Sequence, residues 1–249
     1  MGEEILRSCA GGVCELRFDR PEKRNAITRR MYAALAAHLH AALADEAVRV
    51  VLLSGAGASF CAGNDLNDFV SGPDFSSAHP VMDVLRTLAT FEKPLVAAVH
   101  GPVVGIGVTM LLHCDLVVAA HGTQLMMPFV ALGLVPEAGS SLLLPRLVGR
   151  QRAAELLLLG EALDAAGAER VGLVNRVVDA DKLLDEARAL AQRLVRQPVE
   201  ALRATRRLLQ GDATELLARI EAEAQVFGAR LKSAEFLAQV RALLGKGRA

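Results

Sequence analysis

Two short apolar runs, residues 50–54 and Leu95–Val99, most constrain what this chain can fold into. Each has the length and composition of a strand buried on both faces of a sheet. Each leads into a glycine-bearing stretch, Phe60-Cys61-Ala62-Gly63-Asn64-Asp65-Leu66 and Gly101-Pro102-Val103-Val104-Gly105-Ile106-Gly107. Such loops can turn backbone N–H groups toward a shared cleft. Two donors aimed at one point stabilise an oxygen on which negative charge develops.

The rest of the chain alternates in the same way. Val13-Cys14-Glu15-Leu16-Arg17-Phe18 has the period of a half-buried strand. After the turn at residues 19–25, Thr28 can cap an Ala/Leu-rich helix ending near Ala44. The pattern predicts a strand over 48–54, a helix over 81–91, an apolar helix up to His113 and a strand over 115–120. Residues 67–80 mix Asp, Ser, Gly, Pro and Phe, and read as a mobile loop or short irregular helix. A last strand signal spans 171–178, and four helices follow, over 181–196, 199–209, 214–230 and 234–244. The class is therefore α/β with buried parallel strands, followed by helices. A core over residues 1–195 and a helical region over 196–249 are expected. The apolar positions of that region can serve neighbouring subunits or the chain's own core, and the pattern fits both.

Composition narrows the function by exclusion. The chain has 249 residues, 52% of them hydrophobic, and its 28 basic and 28 acidic side chains cancel. That balance gives no reason to expect nucleic acid or an anionic membrane as partner. The longest nearly uncharged apolar run, residues 101–112, is far below the roughly 18 residues of a spanning helix. The acidic start lacks a signal-peptide pattern and the end is not Ser-Lys-Leu, so a cytoplasmic protein is expected. Cys9, Cys14, Cys61 and Cys114 show no CxxC spacing, and reduced thiols are expected. The six histidines form no metal-binding pattern, and neither a metal nor a separate cofactor is expected.

Familiar catalytic motifs fail on inspection. Gly55-Ala56-Gly57-Ala58-Ser59-Phe60 is an incomplete dinucleotide fingerprint, and there is neither a P-loop nor GxSxG. Ser140 reads as a helix start, and Cys61 as a small buried thiol. Glu137 is different, being the only ionisable residue between Gln124 and Leu144. A carboxylate at the start of a helix is common for dipole reasons alone. Surrounded by apolar residues, however, its pKa should rise toward the range useful for proton shuttling.

Leu16-Arg17-Phe18-Asp19-Arg20-Pro21-Glu22-Lys23-Arg24-Asn25-Ala26, the loop at residues 60–66 and the run from His100 to Asp115 together resemble the enoyl-CoA hydratase/isomerase (crotonase) superfamily. The resemblance covers nearly the whole chain. It implies a spiral of ββα repeats, a C-terminal helical region used in trimerisation, and a homotrimer or a hexamer of two trimers. It also implies an acyl-CoA thioester as substrate, with coenzyme A as part of that substrate. By motif position, the thioester oxygen falls to the main-chain N–H groups of Asn64 and Ile106, beside Gly63 and Gly105. Lys23, Arg24, Ala26, Ala62, Asp65 and Leu66 fall around the coenzyme A, with Asp65 bracing its loop. Phe129, Val130 and Leu134 would wall off water or simply pack the core.

Departures from the family pattern narrow the reaction. The two glutamates with which hydratases activate water align with Thr109 and Phe129, neither of which can act as a carboxylate base. Phe129-Val130-Ala131-Leu132-Gly133-Leu134-Val135-Pro136-Glu137-Ala138-Gly139-Ser140-Ser141 resembles instead the single-glutamate branch of Δ3,Δ2-enoyl-CoA isomerases. The expectation is an isomerase that converts 3-enoyl-CoA to trans-2-enoyl-CoA, with Glu137 as acid/base. Two alternatives are another crotonase-type reaction, such as isomerisation of a ring-derived acyl-CoA or hydration, and a silent acyl-CoA-binding subunit.

Overall fold

The computed structural model describes residues 3–71 and 79–246. Its strands are β1 (Ile5–Ala10), β2 (Val13–Phe18), β3 (Val50–Gly55), β4 (Leu95–Val99), β5 (Pro102–Val104), β6 (Leu116–Ala120), β7 (Gln124–Met126), β8 (Leu163–Asp164) and β9 (Arg176–Val178). The helices are α1 (Arg29–Ala44), α2 (Leu66–Ser71), α3 (Pro80–Thr90), α4 (Ile106–Thr109), α5 (Ser140–Val148), α6 (Arg150–Ala154), α7 (Ala165–Arg170), α8 (Leu183–Val195), α9 (Val199–Gln210), α10 (Thr214–Leu231) and α11 (Ala234–Lys246).

The main sheet has the order β1-β2-β3-β4-β6-β9. β1 and β2 form an antiparallel hairpin, and every later pairing in that sheet is parallel. Alternation along the strands sorts residues to two sides. Val50, Leu52, Val96, Ala98 and Val118 pack against Leu183, Ala187, Leu190 and Ala191 of α8. Val51, Leu53, Leu95, Ala97 and Val99 face the larger core with α1 and α3. The uniformly apolar runs are thus strands that bury both faces, as parallel strands between helices must. A second sheet, β5-β7-β8, lies outside the strands expected from the sequence; three-residue strands carry too little periodicity to be seen.

Local chemistry sets the helix ends. Thr28 caps α1, its hydroxyl accepting from the Met31 N–H at 3.2 Å. At the other end Lys93 is buried and donates Nζ to the carbonyls of Ala42 and Asp45, both at 2.7 Å, satisfying acceptors the helix leaves unpaired. The expected irregular segment 67–80 holds α2 at its start, and residues 72–78 lie outside the described residues.

One expectation changes, and one open choice narrows. Cys9 and Cys14 stand opposite each other in the β1–β2 register with Cα atoms 4.0 Å apart, and their sulfurs form a disulfide. The tight turn at Gly11-Gly12 makes them cross-strand partners, which spacing alone did not indicate. The open choice concerns the apolar positions of the C-terminal helices. Ile220, Ala224, Phe227 and Leu231 of α10, with Phe236 and Val240 of α11, join the chain's own main core. α9 is tied down by Arg206, whose buried guanidinium meets the Asp115 carboxylate at 2.8 Å and the Phe91 carbonyl. At the end of α9, Leu208 and Leu209 remain over 80% exposed, at 85% and 82%.

Candidate active site

The two glycine-bearing loops lie side by side. Cys61 and Val103 form a parallel bridge, and the Val104 N–H donates to the Cys61 carbonyl at 2.9 Å. A Cβ on Gly107 would sit 2.7 Å from the Cys61 carbonyl oxygen, so only glycine permits this approach. Gly105, with φ +53° and ψ −118°, turns the chain from β5 into α4 in a conformation that side-chain-bearing residues avoid. Its own N–H is used, donating to the Met126 carbonyl at 2.9 Å.

Ile106, the next residue, opens α4, and its N–H has no acceptor among the described residues; neither has the N–H of Asn64. Ile106 is buried and Asn64 half-buried, where an amide without a partner is uncommon because each lost hydrogen bond is costly. Two on neighbouring loops leave two donors available to an acceptor from outside the chain.

The first loop is braced from the N-terminal turn. Main-chain bonds run from Ala62 N to Arg24 O (3.0 Å), from Ile27 N to Gly63 O (2.8 Å) and from Asp65 N to Ile27 O (2.9 Å). Asp65 accepts from Arg20 at 2.7 Å and from the Asn67 N–H at 2.9 Å, and these bonds hold its carboxyl below the usual carboxylate range against the opposing effect of burial. Ala26 is half-buried and its carbonyl takes a further bond from Arg20 at 3.0 Å. Leu66 starts α2 and packs on the core. The Lys23 and Arg24 side chains are exposed on the outer side of the turn.

Glu137 is 2% exposed. It precedes α5 rather than lying in its first turn, so the helix-dipole explanation weighed for it does not apply. Burial pushes its pKa up to about 8; the Thr109 hydroxyl opposes that rise and the Glu223 charge adds to it. Thr109, one turn beyond Ile106, donates to Glu137 Oε1 at 2.5 Å. Oε2 is buried and unpartnered among the described residues. Phe129 and Leu134 are buried, with Phe129 Cε1 3.9 Å from the Cβ position of Gly105. Val130, expected as a third wall, is 48% exposed, because it opens a short 3-10 turn on the surface.

Tyr32 escaped the sequence reading. It is the only tyrosine of the chain, lies buried on α1, and donates its hydroxyl to Asn64 Oδ1 at 2.6 Å. Burial first, then the nearby Glu137 and Cys61, raise its pKa well above 10.0, so the phenol stays protonated. Its position on the buried i, i+3, i+4 face of α1, shared with Leu35 and Ala36, is the signal that could have found it. The Cys61 thiol, pushed up to about 12 by burial, also stays protonated, which suits a packed thiol rather than a nucleophile.

The fold and this site together define an enzyme that acts on acyl-CoA thioesters by crotonase-type hydratase or isomerase chemistry. Residues 8–248 match the family model described as enoyl-CoA hydratase/isomerase, and the chain belongs to that family. It is 37% identical to 1,2-epoxyphenylacetyl-CoA isomerase of Escherichia coli (strain K12), over 99% of this chain and 97% of that protein. It is 36% identical to enoyl-CoA delta isomerase 2 of Rattus norvegicus, over 88% of this chain and 57% of that longer protein. The solved structure of OdaA from Pseudomonas aeruginosa superposes with a TM-score of 0.94 at 43% identity, covering 97% of this chain and 99% of that one. Among the described residues no helix is long and apolar enough to cross a membrane.

Proposed function

We propose that this enzyme isomerises an unsaturated acyl-CoA by a 1,3-proton shift, with Glu137 as the single acid/base. The observation that carries the proposal is one buried carboxyl with a pinned and a free oxygen, next to two unpartnered amides. Glu137 Oε2 takes the C2 proton of a 3-enoyl thioester. The electron pair of that C–H bond moves toward the carbonyl, giving a dienolate whose oxygen is held by the N–H groups of Asn64 and Ile106. The same proton then passes from Glu137 to C4, leaving the trans-2-enoyl thioester. Each amide would supply on the order of 10²–10³ in rate. A base with a pKa near the working pH suits both halves of the reaction. Phe129 and Leu134 would keep water away from the shuttled proton.

No step calls for a redox or metal cofactor. Hydration through two carboxylates lacks its acid groups, since Thr109 and Phe129 occupy the two positions where they would be needed. Lys23 and Arg24 are proposed as phosphate contacts for the coenzyme A, being exposed cations on the turn that braces the oxyanion loop. A trimer or hexamer is likewise proposed; the exposed Leu208 and Leu209 would serve as contacts.

One observation favours a second reading, isomerisation of a ring-derived acyl-CoA. At pH 7 a carboxyl with a pKa of about 8 is mostly protonated, which suits an acid that first protonates a strained ring oxygen. The relative named 1,2-epoxyphenylacetyl-CoA isomerase points the same way. NMR in deuterated water with 3-hexenoyl-CoA, 2-hexenoyl-CoA and the ring-epoxide thioester separates the two. Conversion of 3-hexenoyl-CoA to the 2-enoyl thioester with most of the hydrogen added at C4 coming from C2 rather than from solvent supports the first reading, and conversion of the epoxide alone supports the second. Binding of all three without conversion would sink both.

A further inference from the structure

The loop that carries Glu137 is held from the C-terminal region. Glu223, on α10 and only 7% exposed, accepts from the Gly139 N–H at 2.6 Å and the Ser141 N–H at 2.9 Å. Between Glu137 and α5 the chain passes through two consecutive left-handed residues, Ala138 (φ +61°) and Gly139 (φ +72°). A non-glycine residue there is strained and persists only where its surroundings enforce it. Three contacts do so. His113 Nε2 donates to the Ala138 carbonyl at 2.8 Å, the Ser140 hydroxyl donates to the Glu137 carbonyl at 2.6 Å, and Glu223 clamps the far side. α10 lies directly on the turn: a Cβ on Gly139 would meet Leu216 Cδ1 at 2.4 Å.

We infer that Glu223 is a positioning residue for Glu137, fixing the 138–139 turn through two main-chain hydrogen bonds and keeping a second carboxylate charge behind the acid/base group. The inference rests on the acid/base role given to Glu137. The titratable groups felt by Glu137 or its turn come from several elements. Tyr32 on α1 and Cys61 on the first loop are both held protonated. His113, next to Ala138, is held neutral by burial with a pKa lowered to about 4. On α10, burial raises the pKa of Glu223 itself, while the bonds from Ser141 and Gly139 and the charge of Arg219, which hydrogen-bonds Ser141 Oγ at 3.1 Å, favour its charged form. Glu223 is the one carboxylate whose charge raises the Glu137 pKa.

The test compares Glu223→Gln and Glu223→Asp with the native protein, using 3-hexenoyl-CoA and the ring-epoxide thioester in parallel. Folding is checked by circular dichroism, and the Glu137 carboxyl is titrated by carbon-13 NMR, with Glu137→Gln assigning its signal. Glu223→Gln should lower kcat about tenfold with KM nearly unchanged. It should also move the Glu137 titration down by roughly half a pH unit or more, because a like charge is gone. Glu223→Asp, which keeps the charge but is one methylene short, should lower kcat and leave the titration nearly in place. An unmoved titration in Glu223→Gln, or native kcat in both variants, overturns the inference. If Glu223→Gln does not fold, native kcat in a folded Glu223→Asp overturns it, and lowered kcat with native KM and titration supports it. Native turnover by Glu137→Gln would instead remove the acid/base role itself. A dead Glu137→Gln beside an unaffected Glu223→Gln would remove only the role given to Glu223.

Discussion

Thr109 donates its hydroxyl proton to Glu137 Oε1 at 2.5 Å, and the other carboxyl oxygen is buried without a partner among the described residues. One hydrogen bond therefore decides which oxygen is free to handle a proton. Thr109 stands one helical turn after Ile106, so the group that orients the carboxyl belongs to the same element as one of the unpartnered amides.

Thr109→Val keeps the shape and removes the donor. Because that hydrogen bond opposes the rise in the Glu137 pKa, its loss should move the ionisation seen in kcat/KM toward higher pH. Turnover should fall about tenfold at pH 7, and Thr109→Ser should recover most of it. A pH–rate series on the two variants checks this; an unshifted limb in Thr109→Val would show that the hydroxyl does not support the charged form.

Glu137→Gln should abolish isomerisation, by a factor on the order of 10³ or more, and it should also change stability in a defined direction. The folded pKa of about 8 lies above the ordinary 4.5, so between these values the native state holds a proton that the unfolded chain releases. Native stability therefore falls as pH rises from about 4.5 through about 8, by an amount on the order of a few kcal/mol. The glutamine variant lacks that slope. Urea unfolding at pH 5.5 and pH 8.5 should show the variant gaining on the native protein at the higher pH. An equal difference at both values would contradict the buried, proton-holding state of Glu137.

Tyr32→Phe removes only the hydroxyl that holds the Asn64 side chain at 2.6 Å. A stability loss of about 1 kcal/mol is expected, with a several-fold lower kcat from a looser loop. Asn64→Ala should behave alike, and the double variant should be little worse than either single one, because both delete the same contact. Additive losses would mean that the two side chains act separately. Asn64→Pro, which removes the main-chain N–H, should cripple turnover far beyond either.

Gly107→Ala places a methyl group 2.7 Å from the Cys61 carbonyl oxygen and 3.0 Å from its Cβ. The loops must part, which should cost roughly 1–3 kcal/mol of stability. Turnover should fall more than stability alone explains, since the loop bearing Asn64 moves away from Ile106. Thermal unfolding together with a kcat measurement at low temperature separates the two effects; full activity in a destabilised variant would show that loop spacing does not matter to the chemistry.

Much of this architecture was legible in the residues. The runs at residues 50–54 and 95–99 had to be buried strands because their length and uniform apolarity suit no other place, and Thr28 marked the start of α1 correctly. Glu137 stood out by charge alone, and the rise expected for its pKa is found, with burial as its first cause. Other features gave no such signal. β5 and β7 are only three residues long, and neighbours from distant segments make them strands. Tyr32 looked like one more apolar residue of α1, and its hydroxyl acquires meaning only when Asn64 is brought against it.

By itself, the sequence determined the longer strands and helices, the class of fold and the presence of one isolated carboxyl, because these depend on periodicity, capping and charge within a few residues. Tertiary structure alone decided that the Glu137 carboxyl is pinned by Thr109 and that its turn is clamped by Glu223, 84 positions beyond Gly139. It also decided that α10 and α11 cover the chain's own core. Those are contacts between segments far apart in the chain, and their energies come from burial and hydrogen bonds that exist only once the segments meet.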